Sequence, residues 1–204
     1  MNVTLLTSHN AFSDMVHFAV TAALTCHDNT DKDVDHKELL LRIIKMGHES
    51  ILEHINLTYS IKGISRAVLQ ELARHRHISL SVESTRHTLR KKLDDIEALR
   101  DYLSEFHNSD VVLYHCATST LKHFAELAHV LPDMPNDELK YYLPEFWPTN
   151  LILTSNIREL RHILKLRTHP SALMEFRKLG VELFTRVPDD FKYLLEDCCV
   201  YIGG

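Results

Sequence analysis

A short basic segment between Arg74 and His87 carries the residue types best suited to binding anions. It has the sequence RHRHISLSVESTRH, with three arginines and three histidines. Two guanidinium groups one residue apart can each pair with two phosphate oxygens, so the RHR triplet is suited to a pyrophosphate. The serines and Arg86 that follow supply what a phosphate monoester needs. Exposed cations at a helix C-terminus would explain the triplet alone, but not the whole segment.

The segment HESILEH lies upstream and holds His48, Ser50, Glu53 and His54. His48 and His54 could bind a metal ion together with Glu53, but a six-residue spacing fits helical ligand pairs poorly. No metal ion is therefore predicted. A contact with a flavin or another nucleotide, or simple packing of a loop, is favoured for this segment.

A third polar segment, NIRELRHILKLR, is predicted to be an amphipathic helix. Its apolar stripe consists of Ile157, Leu160 and Leu164. Four basic residues are expected on a solvated face: Arg158, Arg161, His162 and Lys165. Arg167 borders the apolar stripe, so we expect its side chain to be half-buried and to need a partner.

Several other chemistries are disfavoured. The chain has five glycines, and none forms a dinucleotide-binding or P-loop motif. Its four cysteines, Cys26, Cys116, Cys198 and Cys199, have no spacing typical of a disulfide framework or a zinc site. None has a neighbourhood that would lower a thiol pKa, so no catalytic cysteine is predicted, and a reducing compartment is favoured.

The bulk composition is that of a soluble globular protein. The 204 residues are 45% hydrophobic and 25% charged, with a net charge of −5. An acidic balance disfavours general binding to nucleic acid, so any anion site must be local. The N-terminus does not look like a signal peptide, and no apolar run is long enough to span a bilayer. We therefore expect a cytoplasmic protein with no membrane or nucleic-acid partner.

The elements that must position these residues follow from local patterns. Residues 55–62 alternate between apolar and polar side chains, which predicts a half-buried strand that ends at Gly63. Ser65 is a predicted helix cap just before the basic segment, Asp35 a cap of an earlier helix, and Asn156 the cap of the late helix. Further strands are predicted at 2–7 and 150–155.

Helices account for most of the remaining chain. One is predicted at 11–26, and one or two more span 94–130. The apolar face of the latter consists of Leu113, Ala117, Leu121, Phe124 and Ala128. Residues 131–138 are predicted to be a loop, and two helices to finish the chain. No repeat or linker divides the chain, so a single, helix-rich α/β domain is expected.

The basic segment resembles the signature of the flavin-dependent thymidylate synthases. That signature has RHR, then seven residues, then Ser, and here it is Arg74-His75-Arg76 followed by Ser84. Ser79 and Arg86 also match the longer motif RHRxxSxNExSxRY. The chain departs from that motif at three positions, with Ser81 for Asn, Val82 for Glu and His87 for Tyr. The similarity extends to GHESILEH, GISRAVLQEL, KYYLP and NIRELRHILKLR, and so covers most of the chain.

The resemblance implies a fold and a reaction. The fold is α/β of the α+β type, with residues 1–204 as a single helix-rich catalytic domain that contains a mainly antiparallel sheet. The enzymes of this family methylate dUMP to dTMP, with methylenetetrahydrofolate as the carbon donor, NADPH as the reductant and FAD as the cofactor. They are homotetramers with active sites between subunits.

The resemblance also implies roles for individual residues. The implied FAD contacts are His48, Ser50, Arg74, His75, Arg76, Asn156, Arg158 and His162. The implied dUMP contacts are Glu71, Ser84, Arg86, Lys140 and Arg167. Glu71 stands where the family often has Gln, and Lys140 stands where Arg is common. Arg167 is the implied catalytic residue, since a cation near the uracil would stabilise the charge that develops on the pyrimidine.

A second function stays open at this point. The substitutions at Ser81, Val82 and His87 also fit a regulatory protein that binds flavin or nucleotide but has lost turnover. Both functions need the same anion-binding residues, so the sequence does not separate them.

Overall fold

The computed structural model of the protein describes residues 1–26, 28–29, 32–106 and 110–200. Within those ranges the strands are β1 (Asn2–Leu5), β2 (Asn56–Ser65), β3 (Ile78–Val82) and β4 (Pro148–Asn156). The α-helices are α1 (His9–Thr25), α2 (His36–Lys45), α3 (Arg66–Leu72), α4 (Thr85–Asp94), α5 (Ile96–Phe106), α6 (Val111–Val130), α7 (Asn136–Leu139), α8 (Ile157–Arg167) and α9 (Met174–Thr185). In the part of the chain described, no helix has the length and hydrophobicity to cross a membrane.

The four strands form one antiparallel sheet in the order β1-β2-β4-β3. β1 pairs with β2 in a register that places Asn2 opposite Lys62 and Leu5 opposite Tyr59. Helices make up most of the rest of the chain. The predicted fold class, a helix-rich α+β protein with a mainly antiparallel sheet, is confirmed.

The alternating apolar side chains around β2 are buried, as predicted. The side chains on one face are fully buried: Ile55, Leu57, Tyr59 and Ile61. The prediction that Gly63 ends the strand is wrong, because β2 continues to Ser65. Gly63 has a φ of +71°, a left-handed conformation that a glycine adopts without strain. Its N–H donates to the side-chain oxygen of Asn150 at 3.0 Å, which holds the backbone at that point.

The three predicted helix caps are confirmed. The Asp35 carboxylate accepts from the backbone N–H of residue 38 at 2.8 Å. The Ser65 hydroxyl accepts from the N–H of residue 68 at 3.2 Å. The Asn156 side chain accepts from the N–H of Glu159 at 2.8 Å, so α8 begins where its sequence predicts. Each cap satisfies a backbone donor that would otherwise lack a partner in the first turn.

Three local predictions need correction. Leu113 lies in the first turn of α6 and is 52% exposed, because the helix buries its apolar face only from Ala117 onward. The predicted loop at 131–138 already contains the start of α7 at Asn136. After α9, the described chain has two short 3-10 helices, Asp189–Leu194 and Glu196–Cys198, rather than a second α-helix.

The chain divides into two compact units. The first unit comprises Met1–Lys62, Leu72–Ser81 and the chain from Leu151 onward, and the second comprises Gly63–Glu71 and Val82–Asn150. Within the first unit, the buried side chains of β2 lie in a core that also holds Phe12 and Phe176. The interpretation of residues 1–204 as one catalytic domain stays a prediction.

The second unit has its own hydrophobic core around Trp147 and Phe124, whose rings meet edge to face with centroids 5.6 Å apart. α4, α5, α6 and α7 supply most of the other buried side chains. Arg90 of α4 donates to the carbonyls of Ala128 and Leu131 at 2.9 Å. These bonds satisfy carbonyls at the C-terminal end of α6 and fix the position of α4 within the unit.

Candidate functional site

The RHR triplet lies in the turn that joins α3 to β3 in the first unit. Arg74 and Arg76 are exposed, whereas His75 between them is buried, with 6% of its surface exposed. Neither arginine forms an ion pair with another described residue. The turn therefore presents two guanidinium groups on either side of a buried imidazole, an arrangement suited to an anion with two phosphate groups.

Both ring nitrogens of His75 are engaged by side chains of α8. Nδ1 lies 3.0 Å from Oε1 of Glu159, and Nε2 accepts from Nε of Arg167 at 3.1 Å. Burial lowers the pKa of His75 below its usual value, and the positive charge of Arg167 adds to this effect, whereas Glu159 opposes it. The ring is therefore neutral near pH 7.

Arg167 is half-buried, as the sequence predicts for a cation at the edge of an apolar stripe. Its guanidinium carbon lies 5.0 Å from the centre of the Phe176 ring, a distance at which cation–π attraction operates. It is the last residue of α8, where the helix dipole also favours a cation.

The other predicted cofactor residues of α8 and its neighbours are more exposed. The His162 ring is exposed and stands edge-on to His75, with centroids 5.6 Å apart. Arg158 forms an ion pair with Glu53. His48 and Ser50 are exposed at the start of the 3-10 helix Glu49–His54. His162 thus lies beside the group formed by His75 and Arg167.

Three potential metal ligands also come together at this point. The candidate ligand atoms of His75, Glu159 and His162 all lie within 4.8 Å of one another. A metal ion needs a free lone pair on each histidine, however. The Nε2 lone pair of His75 already accepts from Arg167, so the proton of the neutral ring is on Nδ1 and neither nitrogen has a free lone pair. The arrangement suits hydrogen bonding better than metal binding.

Arg161 differs from its prediction. It was expected on a solvated face, but only 1% of it is exposed. Two of its nitrogens donate to the two carboxylate oxygens of Asp197 at 2.6 Å, and another donates to Glu49 at 3.1 Å. Burial would raise the pKa of Asp197, but the bonds from Arg161 outweigh it and lower that pKa. Residue 161 follows Ile157 by four positions, and this helical spacing already places it on the buried stripe.

Ser84 and Arg86, two of the implied dUMP contacts, lie at the start of α4 in the second unit. Ser84 is the N-cap residue of α4, and its hydroxyl makes no capping hydrogen bond. Arg86 lies two residues further on, and its guanidinium donates to Asp137 at 2.7 Å. Lys140 contacts the same carboxylate at 3.3 Å. One aspartate thus bridges two of the cations implied to contact dUMP. The hydrogen bond from Arg86 is the main cause that lowers the pKa of Asp137.

Glu71 lies in the last turn of α3 and is half-buried, also in the second unit. The three residues that depart from the family motif, Ser81, Val82 and His87, are exposed. Glu83 does not replace the carboxylate that is missing at position 82, because it forms an ion pair with Lys92 at 2.8 Å.

The four cysteines differ in their exposure. None of the four forms a disulfide bond. Cys198 is buried, and burial raises the pKa of its thiol to about 12, so the thiol is protonated near neutral pH. Cys26 and Cys116 are exposed. The prediction that no cysteine is catalytic stays a prediction.

Comparison with known proteins decides the family. Residues 6–190 match the family described as thymidylate synthase complementing protein. The chain belongs to this family. It is 38% identical to the flavin-dependent thymidylate synthase of Campylobacter jejuni strain RM1221, over 97% of each chain. It is 40% identical to the flavin-dependent thymidylate synthase of Wolinella succinogenes, over 95% of this chain and 97% of that protein.

A solved structure has the same fold. It is thymidylate synthase X from Helicobacter pylori, which was crystallised with FAD and dUMP. Its TM-score with this chain is 0.82, at 31% sequence identity, and the match covers 98% of this chain and all of that one. The resemblance inferred from the RHR segment is therefore confirmed at the level of family and fold.

Proposed function

We propose that the protein is a flavin-dependent thymidylate synthase, which methylates dUMP to dTMP and uses FAD as its cofactor. The observation that carries this proposal is the solved structure with the same fold, which binds both ligands. Two groups of cations in this chain, one in each unit, have the chemistry that the two anionic ligands require. The protein is thus an FAD-dependent methyltransferase.

The first group is proposed to bind FAD, which supplies the redox chemistry of the reaction when it is bound. Arg74 and Arg76 would bind its pyrophosphate, because both are exposed and neither is neutralised by a described carboxylate. His75 would contact the flavin through its ring carbons, since both of its nitrogens are engaged. The other proposed contacts are His48, Ser50, Asn156, Arg158 and His162.

The second group is proposed to bind the phosphate of dUMP. Ser84 offers a hydroxyl at the positive end of α4, and Arg86 and Lys140 add two cations. Glu71 is the fourth proposed dUMP contact in this unit. Asp137 would compete with the phosphate for Arg86 and Lys140, because its carboxylate already pairs with both cations.

Arg167 is proposed to contact the uracil of dUMP and to act as the catalytic residue. A fixed guanidinium stabilises negative charge that develops on the pyrimidine, and a fixed group needs no reorganisation during the reaction. Its contacts with His75 and the Phe176 ring support this role, because they hold the guanidinium in place.

The proposal includes four further features of the enzyme. Methylenetetrahydrofolate would donate the carbon and NADPH would be the reductant. A homotetramer is the assembly that the resemblance to the family implies. A cytoplasmic location is supported by four cysteines that form no disulfide bond.

Tritium release from C5 of labelled dUMP tests the function. The protein is incubated with FAD, NADPH, methylenetetrahydrofolate and [5-³H]dUMP, and we expect release of tritium together with formation of dTMP. A reaction without methylenetetrahydrofolate serves as the control for dTMP formation. Binding of FAD and dUMP without turnover would instead support the regulatory function. Absence of any flavin binding would contradict both.

A further inference from the structure

A chain of three hydrogen-bonded side chains connects the two ends of α8. Glu159 lies in the first turn of this helix and Arg167 is its last residue, so their backbones are about 12 Å apart. His75 bridges them, with Nδ1 3.0 Å from Glu159 and Nε2 3.1 Å from Arg167. The exposed fractions of the His75 and Glu159 side chains are only 4% and 10%.

The direction of the two hydrogen bonds follows from the chemistry of the groups. An arginine nitrogen only donates, so Nε2 of His75 must be the acceptor and carries no proton. The proton of the neutral ring is therefore on Nδ1, from which it is donated to the Glu159 carboxylate. All the bonds run in one direction, from Arg167 through His75 to Glu159.

This chain fixes the plane of the Arg167 guanidinium. An arginine side chain has four rotatable bonds before its planar head group, and a bond to Nε determines where the two Nη groups point. The Phe176 ring lies 5.0 Å from the guanidinium carbon and is also edge-on to His75. His75 is in turn held by Glu159, which is the acid at the far end of the chain.

We propose that His75 and Glu159 are positioning residues for Arg167, which hold its guanidinium in the orientation that the reaction requires. This inference rests on the proposed function, in which Arg167 contacts the uracil of dUMP. It gives the histidine of the RHR triplet a role besides cofactor binding. It also gives Glu159, which was not among the predicted site residues, a role in turnover.

A double-mutant cycle tests this coupling in the FAD-loaded enzyme. Glu159→Ala is compared in the wild-type background and in an Arg167→Lys background, where the bond from Nε to His75 no longer exists. We expect Glu159→Ala to lower kcat/KM for dUMP roughly 10- to 100-fold in the wild-type background, because small misplacements of a catalytic group cost that much. In the Arg167→Lys background we expect less than about a twofold effect from Glu159→Ala, since the coupling has been removed.

Two further variants distinguish positioning from general support of the fold. Glu159→Gln keeps an oxygen that accepts from Nδ1 of His75, so it should restore most of the lost activity. Glu49→Ala removes another acid that faces α8 but contacts Arg161 instead, and its effect should be the same in both backgrounds. Equal losses for Glu159→Ala in the two backgrounds, or no rescue by Gln, would overturn the inference. An inactive wild-type protein would contradict the proposed function itself.

Nitrogen NMR provides a measurement that does not depend on activity. In ¹⁵N-histidine-labelled protein without ligands at pH 7.5, we expect His75 to be the neutral tautomer with its proton on Nδ1. His75→Gln identifies the signal by its loss. A proton on Nε2, or a doubly protonated ring, would overturn the inference even if the kinetic variants failed to retain FAD.

Discussion

Arg76 and Arg86 belong to the same short segment but should bind different ligands. Arg76→Ala is expected to weaken FAD binding by about 10- to 100-fold, the usual value of a charge-assisted hydrogen bond. Arg86→Ala is expected to weaken dUMP binding by a similar factor and to leave the protein yellow. Separate titrations of each ligand, with FAD saturating when dUMP is added, measure both effects.

The two arginines lie in different units, which makes each variant the control for the other. Loss of both ligands in both variants would show that the segment is structural. Unchanged binding in both would indicate that these cations are merely solvated. The oligomeric state of each variant should be confirmed before titration.

Substitution of Asp137 should strengthen dUMP binding, whereas the arginine substitutions should weaken binding of their ligands. Its carboxylate contacts both Arg86 and Lys140, which are proposed to bind the dUMP phosphate. Asp137→Asn should tighten dUMP binding by roughly fivefold, because it removes a negative charge that competes for the same cations. The dissociation constant for dUMP, measured with FAD saturating, tests this.

A neighbouring acid provides the matched control for Asp137. Glu138 is exposed in the same short helix, α7, and forms no ion pair with a described residue. Glu138→Gln removes the same charge and should change dUMP affinity by less than about twofold. If both variants tighten binding equally, the net charge of the surface is responsible rather than the contact made by Asp137.

At the scale of elements, Arg161 connects α8 to the 3-10 helices that follow α9. It donates to the Leu194 carbonyl at 2.6 Å and to Asp197, and both partners lie more than 30 residues later in the chain. Arg161→Ala should lower the free energy of unfolding by about 3 kcal/mol, because removing one partner strands buried polar groups. Urea unfolding monitored by circular dichroism measures this loss.

The exposed ion pair between Arg186 and Glu182 provides a comparison. Arg186→Ala removes an arginine of about half exposure from α9 and should cost less than about 1 kcal/mol. An equally small loss for Arg161→Ala would show that the buried contacts contribute little. It would also show that the 3-10 helices after α9 stay packed against α8 without the bonds from Arg161.

At the scale of the whole molecule, His75 makes stability depend on pH. Burial lowers its pKa in the folded protein, whereas in the unfolded chain a histidine titrates near pH 6.5. Between these two pKa values the unfolded chain binds more protons, so stability increases with pH. The contribution of His75 is therefore fully present above about pH 6.5 and is lost as the pH falls through the lower, folded-state pKa.

Urea unfolding at pH 7.5, 6.5 and 5.5 checks this dependence. His75→Gln removes the titrating group but keeps an acceptor and a donor, so its stability should decrease less between pH 7.5 and pH 5.5. His115 is exposed on α6, and His115→Gln should leave the wild-type dependence unchanged. A wild-type dependence that persists in His75→Gln would assign the effect to other groups.

Much of the fold could be predicted from the sequence because its causes are local. The alternation of Ile55 to Ile61 predicts the buried face of β2, and Asp35, Ser65 and Asn156 predict three helix starts. Such patterns depend on side chains within a few residues of one another. The spacing of RHR and Ser84 indicated the family for the same reason, because a motif is itself a local pattern.

The partners of the polar side chains could not be predicted in this way. The two partners of His75, Glu159 and Arg167, follow it in the chain by 84 and 92 positions. Asp197 contacts Arg161 across 36 positions. Composition and periodicity carry no information about which distant groups meet, because that depends on the path of the backbone through the core. The sequence by itself determined the family, most of the elements and the types of residue at the candidate site. Only the tertiary structure decided that His75 is buried between Glu159 and Arg167, and that Asp137 bridges two of the implied dUMP contacts.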